Sequence, residues 1–415
     1  MAPSDNTIMP IPIVAIGVGN RMRTYMHYVA AHPEEVKLVA IVEPDQTRRE
    51  TMRSQFDLPA SAAFSDYQQL FASDIPFEAV LIATPGSEHF RPAMMALERG
   101  CHILLEKPIA QNYEECCTLA KKAKEKNRII SVCHVMRYHP MFLKIKELVI
   151  SGHYGRIVTI THTEEVGIDR ATHSYVRGML NSEKFSNPML LDKICHDMDF
   201  LLWITGSHCR RVSSFGSRLW FRKENAPADA ADRCTRCAIE DRCPYSAIDL
   251  YRRRKEWISN FIPASGQTVA DVVENELAEG RFGRCVYHCD NDVVDNQVVT
   301  LQMTDGVLIN LTMNVFTQSD CRTQKIGMTE GEIICDGTTI NARHFRTRTT
   351  ETFDFSQLAN IGFHGGADLA LVENFIHTIA TGTKPDTDIS DALEAHRIIF
   401  EAERSRHTNE TITLN

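Results

Sequence analysis

The first 133 residues alternate between short, nearly all-apolar runs and stretches with helical spacing. The apolar runs are Ile13–Ile16, Val36–Val42, Ala79–Ala83, His102–Leu105 and Ile129–Val132. Helical patterns separate them around Tyr25–Val29 and over Asp45–Gln55, Glu88–Glu98 and Tyr113–Lys126. A strand that is apolar on both faces must be covered on both, and strands joined by helices pair in parallel. The expectation is a doubly wound α/β domain over residues 1–133.

From residue 134 onward the grammar changes. A helix near Phe142–Ile150 ends at Gly152, and Ile157–Glu165 then alternates residue by residue, as a strand with one buried face does. Val298–Met303 and Val307–Met313 flank Asp305-Gly306, a favoured hairpin turn, and Gln324–Met328 and Glu332–Cys335 follow. These features predict an α+β domain over 134–415 built on a largely antiparallel sheet, closed by helices near Asp368–Ala380 and Asp391–Arg404. Residues 222–295 are irregular, rich in charge and Cys, and read as an insertion without an obvious core.

Composition narrows the function classes. Forty-five basic residues against 54 acidic ones give a net charge of −9, which argues against a nucleic-acid partner. The basic run Arg252-Arg253-Arg254-Lys255 reads as a solvated helix face. No stretch approaches the roughly twenty apolar residues that span a bilayer, so no membrane association is expected. The first apolar run lacks the basic leader of a signal peptide, so cytoplasmic location and reduced thiols are the expectation for the thirteen Cys.

Strand one runs into Gly17-Val18-Gly19-Asn20-Arg21-Met22 and a helix. Two Gly permit a tight turn and close backbone approach to a pyrophosphate, and the helix N-terminus offers free N–H groups. Met22 occupies the place of the usual third Gly, so helix–sheet packing must differ there. Glu43 lies 24 residues beyond Gly19, at the end of strand two, where an acid can hold the ribose hydroxyls of NAD. Arg48 nearby could instead meet the 2′-phosphate of NADP.

Two further segments, Ala83-Thr84-Pro85 with His89 and Glu106-Lys107-Pro108, follow strands four and five. Arg137-Tyr138-His139-Pro140 opens the second domain, Asp192-Lys193-Ile194-Cys195-His196 has a D-x-x-x-H pattern, and His364-Gly365-Gly366 precedes a late helix. Together these resemble the glucose–fructose oxidoreductase / inositol dehydrogenase (Gfo/Idh/MocA) family over nearly the whole chain, the Cys-rich insertion excepted. The resemblance implies a Rossmann domain plus an open-faced sheet domain. It also implies sugar, cyclitol or related polyol substrates and a homodimer or homotetramer packed through that sheet.

It further implies a cofactor site at Gly17, Gly19, Asn20, Arg21, Glu43, Thr84, Pro85, His89, Glu106 and Lys107, with Lys107, His196 and Asp192 at the reacting carbon. Alcohol oxidation needs a base for the hydroxyl proton and donors for the developing alkoxide. Histidine suits the first role and a lysine ammonium the second. Asp192 and His196, four apart on a helix, would share one face. Lys193, a second cation beside them, could depress the His pKa or bind substrate. Proline after Lys107 leaves the peptide isomer open. Arg137, Tyr138, His173, Tyr175, Arg177 and His364 are candidate substrate contacts. The expected activity is hydride transfer between NAD(P) and a sugar-like hydroxyl or keto carbon. The alternative is glycoside hydrolysis through transient oxidation, elimination and hydration with no net redox change.

Cys234-x-x-Cys237-x5-Cys243-Pro244 lies in the insertion, and Cys285, His288 and Cys289 follow. Thiolates so spaced can grip a soft cation, and tetrahedral zinc takes four such ligands. The expected set is Cys234, Cys237, Cys243 and Cys285. An iron–sulfur cluster is the rival, and free cysteines the ordinary reading.

Overall fold

The computed structural model describes residues 9–258, 268–318 and 320–414. It divides into two compact units: the described residues up to Leu143 with Gln357–His396, and Lys144–Ser356 with the segment from Arg397 onward.

In the first unit, β1 (Ile11–Ile16), β2 (Val36–Val42), β3 (Ala63–Phe64), β4 (Ala79–Ile82), β5 (His102–Leu105) and β6 (Ile130–Val132) form one parallel sheet in the order β3-β2-β1-β4-β5-β6. Order reverses between β1 and β4, and that switch point opens a crevice at the strands' carboxyl ends. Every residue of β4 and β5 is buried, as strands covered on both faces require. The helix Tyr113–Lys126 starts where Asn112 accepts the Glu115 N–H and stops at Asn127, whose positive φ ends it. The late helix Ala367–Thr381 packs on the first helix, Asn20–Ala31, within this unit. The expectation had it closing the second domain, because nothing in its own sequence says which core its apolar face covers.

The second unit holds a nine-stranded sheet. Its strands are β7 (Ile157–Glu165), β8 (Cys209–Ser217), β9 (Asn296–Met303), β10 (Leu308–Asn314), β11 (Cys321–Met328), β12 (Gly331–Cys335), β13 (Thr339–His344), β14 (Thr350–Asp354) and β15 (Ile412–Thr413). They run in the order β14-β13-β12-β11-β7-β10-β9-β8-β15. Only β7 and β10 pair in parallel, so the sheet is mixed and largely antiparallel. One face is covered, with Ile160, Leu301, Ile309 and Leu311 fully buried. The other leaves Val158, Phe215, Val298, Leu308 and Ile334 exposed.

The covered face also buries charge. Asp197, on the helix Met189–Thr205, accepts from His162 Nε2 at 2.7 Å and from Arg322 Nε at 2.7 Å. Arg322 also pairs with Glu164 at 2.9 Å, and Lys193 bridges Glu164 at 2.8 Å and Asp320 at 3.3 Å. Burial works against ionisation of Asp197, but Arg322 and the His162 hydrogen bond hold its carboxyl well below the usual range.

The insertion is not coreless. Helices Ala247–Arg253, Lys255–Ile258 and Val269–Ala278 surround buried Ala247, Leu250, Tyr251, Ile258, Val273, Leu277 and Phe282. Its apolar residues are too scattered in sequence to show a period, so only the fold gathers them. Residues 259–267 of the expected insertion lie outside the described residues. The run Arg252–Lys255 is exposed, with Arg253 paired to Asp169 and Asp249.

Candidate functional site

The Gly17-Val18-Gly19 turn leaves β1 at the switch point. Gly17 has φ +82°, and a Cβ there would come within 2.8 Å of the Thr84 amide and 2.9 Å of the Ala83 carbonyl. Only Gly fits. A Cβ on Gly19 would instead meet nothing within 4 Å, so this position faces open space that a ligand backbone can approach. Gly19 caps the first helix without a side-chain hydrogen bond, and no acid lies in the first turn. The amide dipoles at that end are left for an anion. Met22 is completely buried where the third Gly was missing.

Around this turn lies a cleft of about 560 Å³, lined by Gly17, Gly19, Glu43, Pro44, Arg48, Ser65, Asp66, Tyr67, Ala83, Thr84, Pro85 and Glu88. Glu43 is only 6% exposed and accepts the Val18 N–H at 2.7 Å and the Asp45 N–H at 3.1 Å. It therefore ties the Gly turn to the end of β2 while lining the cleft. Ser65, Asp66 and Tyr67 were not foreseen, because the two-residue β3 is too short to carry a pattern.

A larger cavity of about 770 Å³ is lined by Ile11, Glu34, Glu35, Tyr138, Glu373 and Asp386, among others. Ile11 begins β1, so this cavity lies at the opposite sheet end from Gly17. Its acidic lining is unsuited to a pyrophosphate. Tyr138 donates to Asn374 Oδ1 at 3.0 Å there, and Arg137 donates to the Asp386 carbonyl at 2.7 Å. Both expected substrate contacts thus have partners on the late helix and the segment that follows it.

At the carboxyl end of β5, the Lys107–Pro108 bond is cis. Buried Glu106 accepts the Lys107 N–H at 3.0 Å, Arg21 Nε at 2.7 Å and the Tyr25 hydroxyl. Arg21 also pairs with Asp368 at 2.6 Å, and Asp368 with His364 at 2.8 Å. Burial opposes charge on Glu106, yet Arg21 and Lys107 hold its carboxyl below the ordinary value. Asp368 is likewise held down, against burial, by His364 and Arg21. Glu106 and Arg21, expected at the cofactor, thus serve an internal ionic network beside the Lys107 backbone. His89 is fully buried, bridging the Pro108 carbonyl at 2.7 Å and the Thr84 carbonyl at 3.0 Å. It braces the two loops and faces no cleft, and burial pushes its pKa down.

In the second unit, Asp192, Lys193 and His196 are half-buried on the helix Met189–Thr205, one turn of which separates Asp192 from His196. The buried Tyr175 hydroxyl donates to Asp192 Oδ2 at 2.6 Å. Lys193 is not a loose second cation, since Glu164 and Asp320 balance its charge.

His173, expected as a substrate contact, packs against the core of the insertion. Its ring stacks on Phe282 at 4.8 Å, meets Trp257, and bonds the Tyr251 hydroxyl at 2.8 Å. Burial, then Arg170 and Arg177, bring its pKa to about 4. Arg177 is wholly buried, with Arg284 and Tyr245 carbonyls as partners.

All thirteen cysteines are free. Cys234, Cys237, Cys243 and Cys285 line one cavity, yet among the described residues no three His, Cys, Asp or Glu side chains already stand in metal-holding geometry. The expected ligand set is gathered but its sulfurs are not converged.

A glycine turn at a switch point, a free helix N-terminus and an acid at the end of β2 define a dinucleotide-binding α/β protein. The chain belongs to the GFO/IDH/MocA oxidoreductase family: the family's NAD-binding Rossmann-fold model matches residues 11–134, and its C-terminal α/β domain model matches 146–414. Over 335 residues the chain is 20% identical to YteT of Bacillus subtilis, designated an oxidoreductase, covering 75% of this chain and 74% of the relative. It is 27% identical over 194 residues to the inositol 2-dehydrogenase of Corynebacterium glutamicum, covering 46% of this chain and 53% of that enzyme, about half its length. The structure of levoglucosan dehydrogenase with NADH and L-sorbose superposes with a TM-score of 0.73 at 17% identity, over 98% of this chain and all of that one, a likeness of fold.

Proposed function

We propose that the protein is an NAD-dependent dehydrogenase or reductase acting on a hydroxyl or keto carbon of a sugar, cyclitol or glycoside. The observation that carries this reading is the cleft at the β1–β4 switch point, where Gly19 faces open space beside Glu43. That cleft fits the group: its volume suits a cofactor segment, and its backbone donors suit a pyrophosphate. Glu43, Asp66 and Glu88 outnumber Arg48 among its charged residues, which favours ribose hydroxyls over a 2′-phosphate and so NAD over NADP. Relatives named for inositol and levoglucosan support the substrate class.

NAD, when bound, supplies the hydride acceptor. In this reading His196 suits the base for a substrate hydroxyl proton, Lys107 suits a donor to a developing alkoxide, and Asp192, oriented by Tyr175, tunes the histidine or fixes a hydroxyl. Glu106 fixes the Lys107 backbone through its N–H. The exposed apolar residues Val158, Phe215, Val298 and Leu308 suit a homodimer or homotetramer packed through the sheet, and thirteen free thiols suit the cytoplasm. No helix among the described residues is long and apolar enough to cross a membrane.

The test is a panel of sugars, cyclitols and glycosides incubated with enzyme and NAD while NADH absorbance and released aglycone are followed together. Net NADH with one panel member is the expected result. Aglycone release without NADH would replace this reading by the redox-neutral hydrolase. No turnover of any kind with NAD or NADP would overturn both.

A further inference from the structure

The Cys-rich segment plays no part in the reaction above, and its architecture needs an account of its own. Each of the four cysteines begins a tight turn. The Cys237 N–H bonds the Cys234 carbonyl, the Glu240 N–H that of Cys237, the Ser246 N–H that of Cys243, and the His288 N–H that of Cys285. Cys234 Sγ also accepts the Ala247 N–H at 3.4 Å, from the start of the following helix. The fourth cysteine, distant in sequence, is brought in by the backbone: Arg233 and Arg284 form an antiparallel bridge, and the Cys285 N–H bonds the Asp232 carbonyl at 2.8 Å.

Arg177 lines the same cavity. Its guanidinium is 0% exposed, and among the described residues no carboxylate pairs with it. Nε donates to the Arg284 carbonyl at 2.7 Å, and Nη2 to the Tyr245 carbonyl at 2.6 Å and toward Cys234 Sγ at 3.9 Å. Nη1 has no partner. The one carboxylate lining the cavity, Glu240, accepts from the Ser246 hydroxyl. A buried cation without a counter-charge is costly, so the site requires negative charge that neutral thiols do not provide. The cavity itself measures about 10 Å³, room for one water-sized body.

We propose that Cys234, Cys237, Cys243 and Cys285 bind one zinc ion as a tetrathiolate, with Arg177 as its buried counter-cation. Four thiols lose their protons to solvent as four Zn–S bonds form, leaving a complex of net charge −2 that the guanidinium partly offsets. The backbone turns bring the four cysteines to one cavity, which has room for a single ion. Because Arg177 ends the π-helical segment Ala171–Arg177, which also carries Tyr175 and its bond to Asp192, the metal would tie the insertion to the substrate-side segment.

The full chain purified without chelator should contain about one zinc per chain. Cobalt(II) exchanged into it should give an intense thiolate-to-cobalt charge-transfer band. Cys237→Ser should lose that band. Arg177→Met, which keeps all four thiols, should release zinc to a chelator at roughly 10- to 100-fold lower chelator concentration, the scale of losing a ligand's hydrogen-bonding support. Should Cys237→Ser fail to fold, the wild-type cobalt spectrum and the Arg177 variant still decide. Folded wild-type protein with neither zinc nor a cobalt band would overturn the proposal. So would iron with acid-labile sulfide, or full metal retention in Cys237→Ser.

Discussion

Each unit buries an ionic network, and the two differ in how deeply their charges lie. In the first, Arg21, Glu106 and Asp368 run outward to His364, whose side chain is 58% exposed, and Arg21 itself is 35% exposed. In the second, His162, Asp197 and Glu164 are all 0% exposed, and their cations, Arg322 at 21% and Lys193 at 15%, lead out to Asp320 at 35%. The same residue types therefore do different work. The shallower network fixes the Lys107 backbone through Glu106. The deeper one is a charged piece of core, whose desolvation cost is offset only while its partners are present.

The comparison predicts that substitutions near the shallower network cost turnover and those in the deeper one cost stability. Lys107→Met should slow turnover by about 10²- to 10⁴-fold, the usual scale for lost proton handling, and His196→Ala likewise. Melting temperature and NAD affinity should change little. Near-normal turnover in both variants on an identified substrate would remove them from the mechanism.

Arg322→Met should lower unfolding free energy by about 3–5 kcal/mol, because Asp197 and Glu164 would be left buried together without their shared cation. Urea unfolding measures it. A loss under about 1 kcal/mol would mean the deeper network carries no more than a surface ion pair, and the contrast between units would fail.

Glu43→Ala should weaken NAD binding by about 1–3 kcal/mol, the cost of unpaired ribose hydroxyls and a loosened Gly turn. Calorimetric titration with both nucleotides reads it directly. Tighter wild-type binding of NADP than of NAD would reassign the cleft's charged residues.

The smallest effect is one of pH. His102 Nδ1 accepts the Ile129 N–H at 3.1 Å, and burial, with Arg128, lowers its pKa from 6.5 to about 4. Between those values the unfolded chain binds the extra proton and the folded one does not. This contribution is therefore complete above pH 6.5 and declines as pH falls toward 4. His102→Gln should flatten that part of the stability–pH profile. An unchanged slope would show that other groups set it.

What local chemistry writes, the sequence displays. The apolar runs of β1, β2, β4, β5 and β6, the Gly17 turn that no Cβ can enter, and Glu43 at the end of β2 were legible because each depends on residues adjacent in the chain. Asp192 and His196 were placed on one helix face by spacing alone, and Cys234, Cys237 and Cys243 were grouped by theirs.

What joins distant segments had to wait for the tertiary structure. His89 and Glu106 match a cofactor motif, but burial turned the first into a brace and the second into an ion-network anchor. Tyr138 shares a cavity with Ile11 of β1, and His173 packs against Phe282 and Tyr251, neighbours that their local sequence does not show. Arg177 and Cys285, 108 positions apart in the sequence, share a cavity only because the backbone at Arg233 and Arg284 pairs. The physical reason is the same in each case. Hydrogen-bonding pattern and periodicity are set by neighbours in the chain, whereas desolvation and charge pairing depend on neighbours in space.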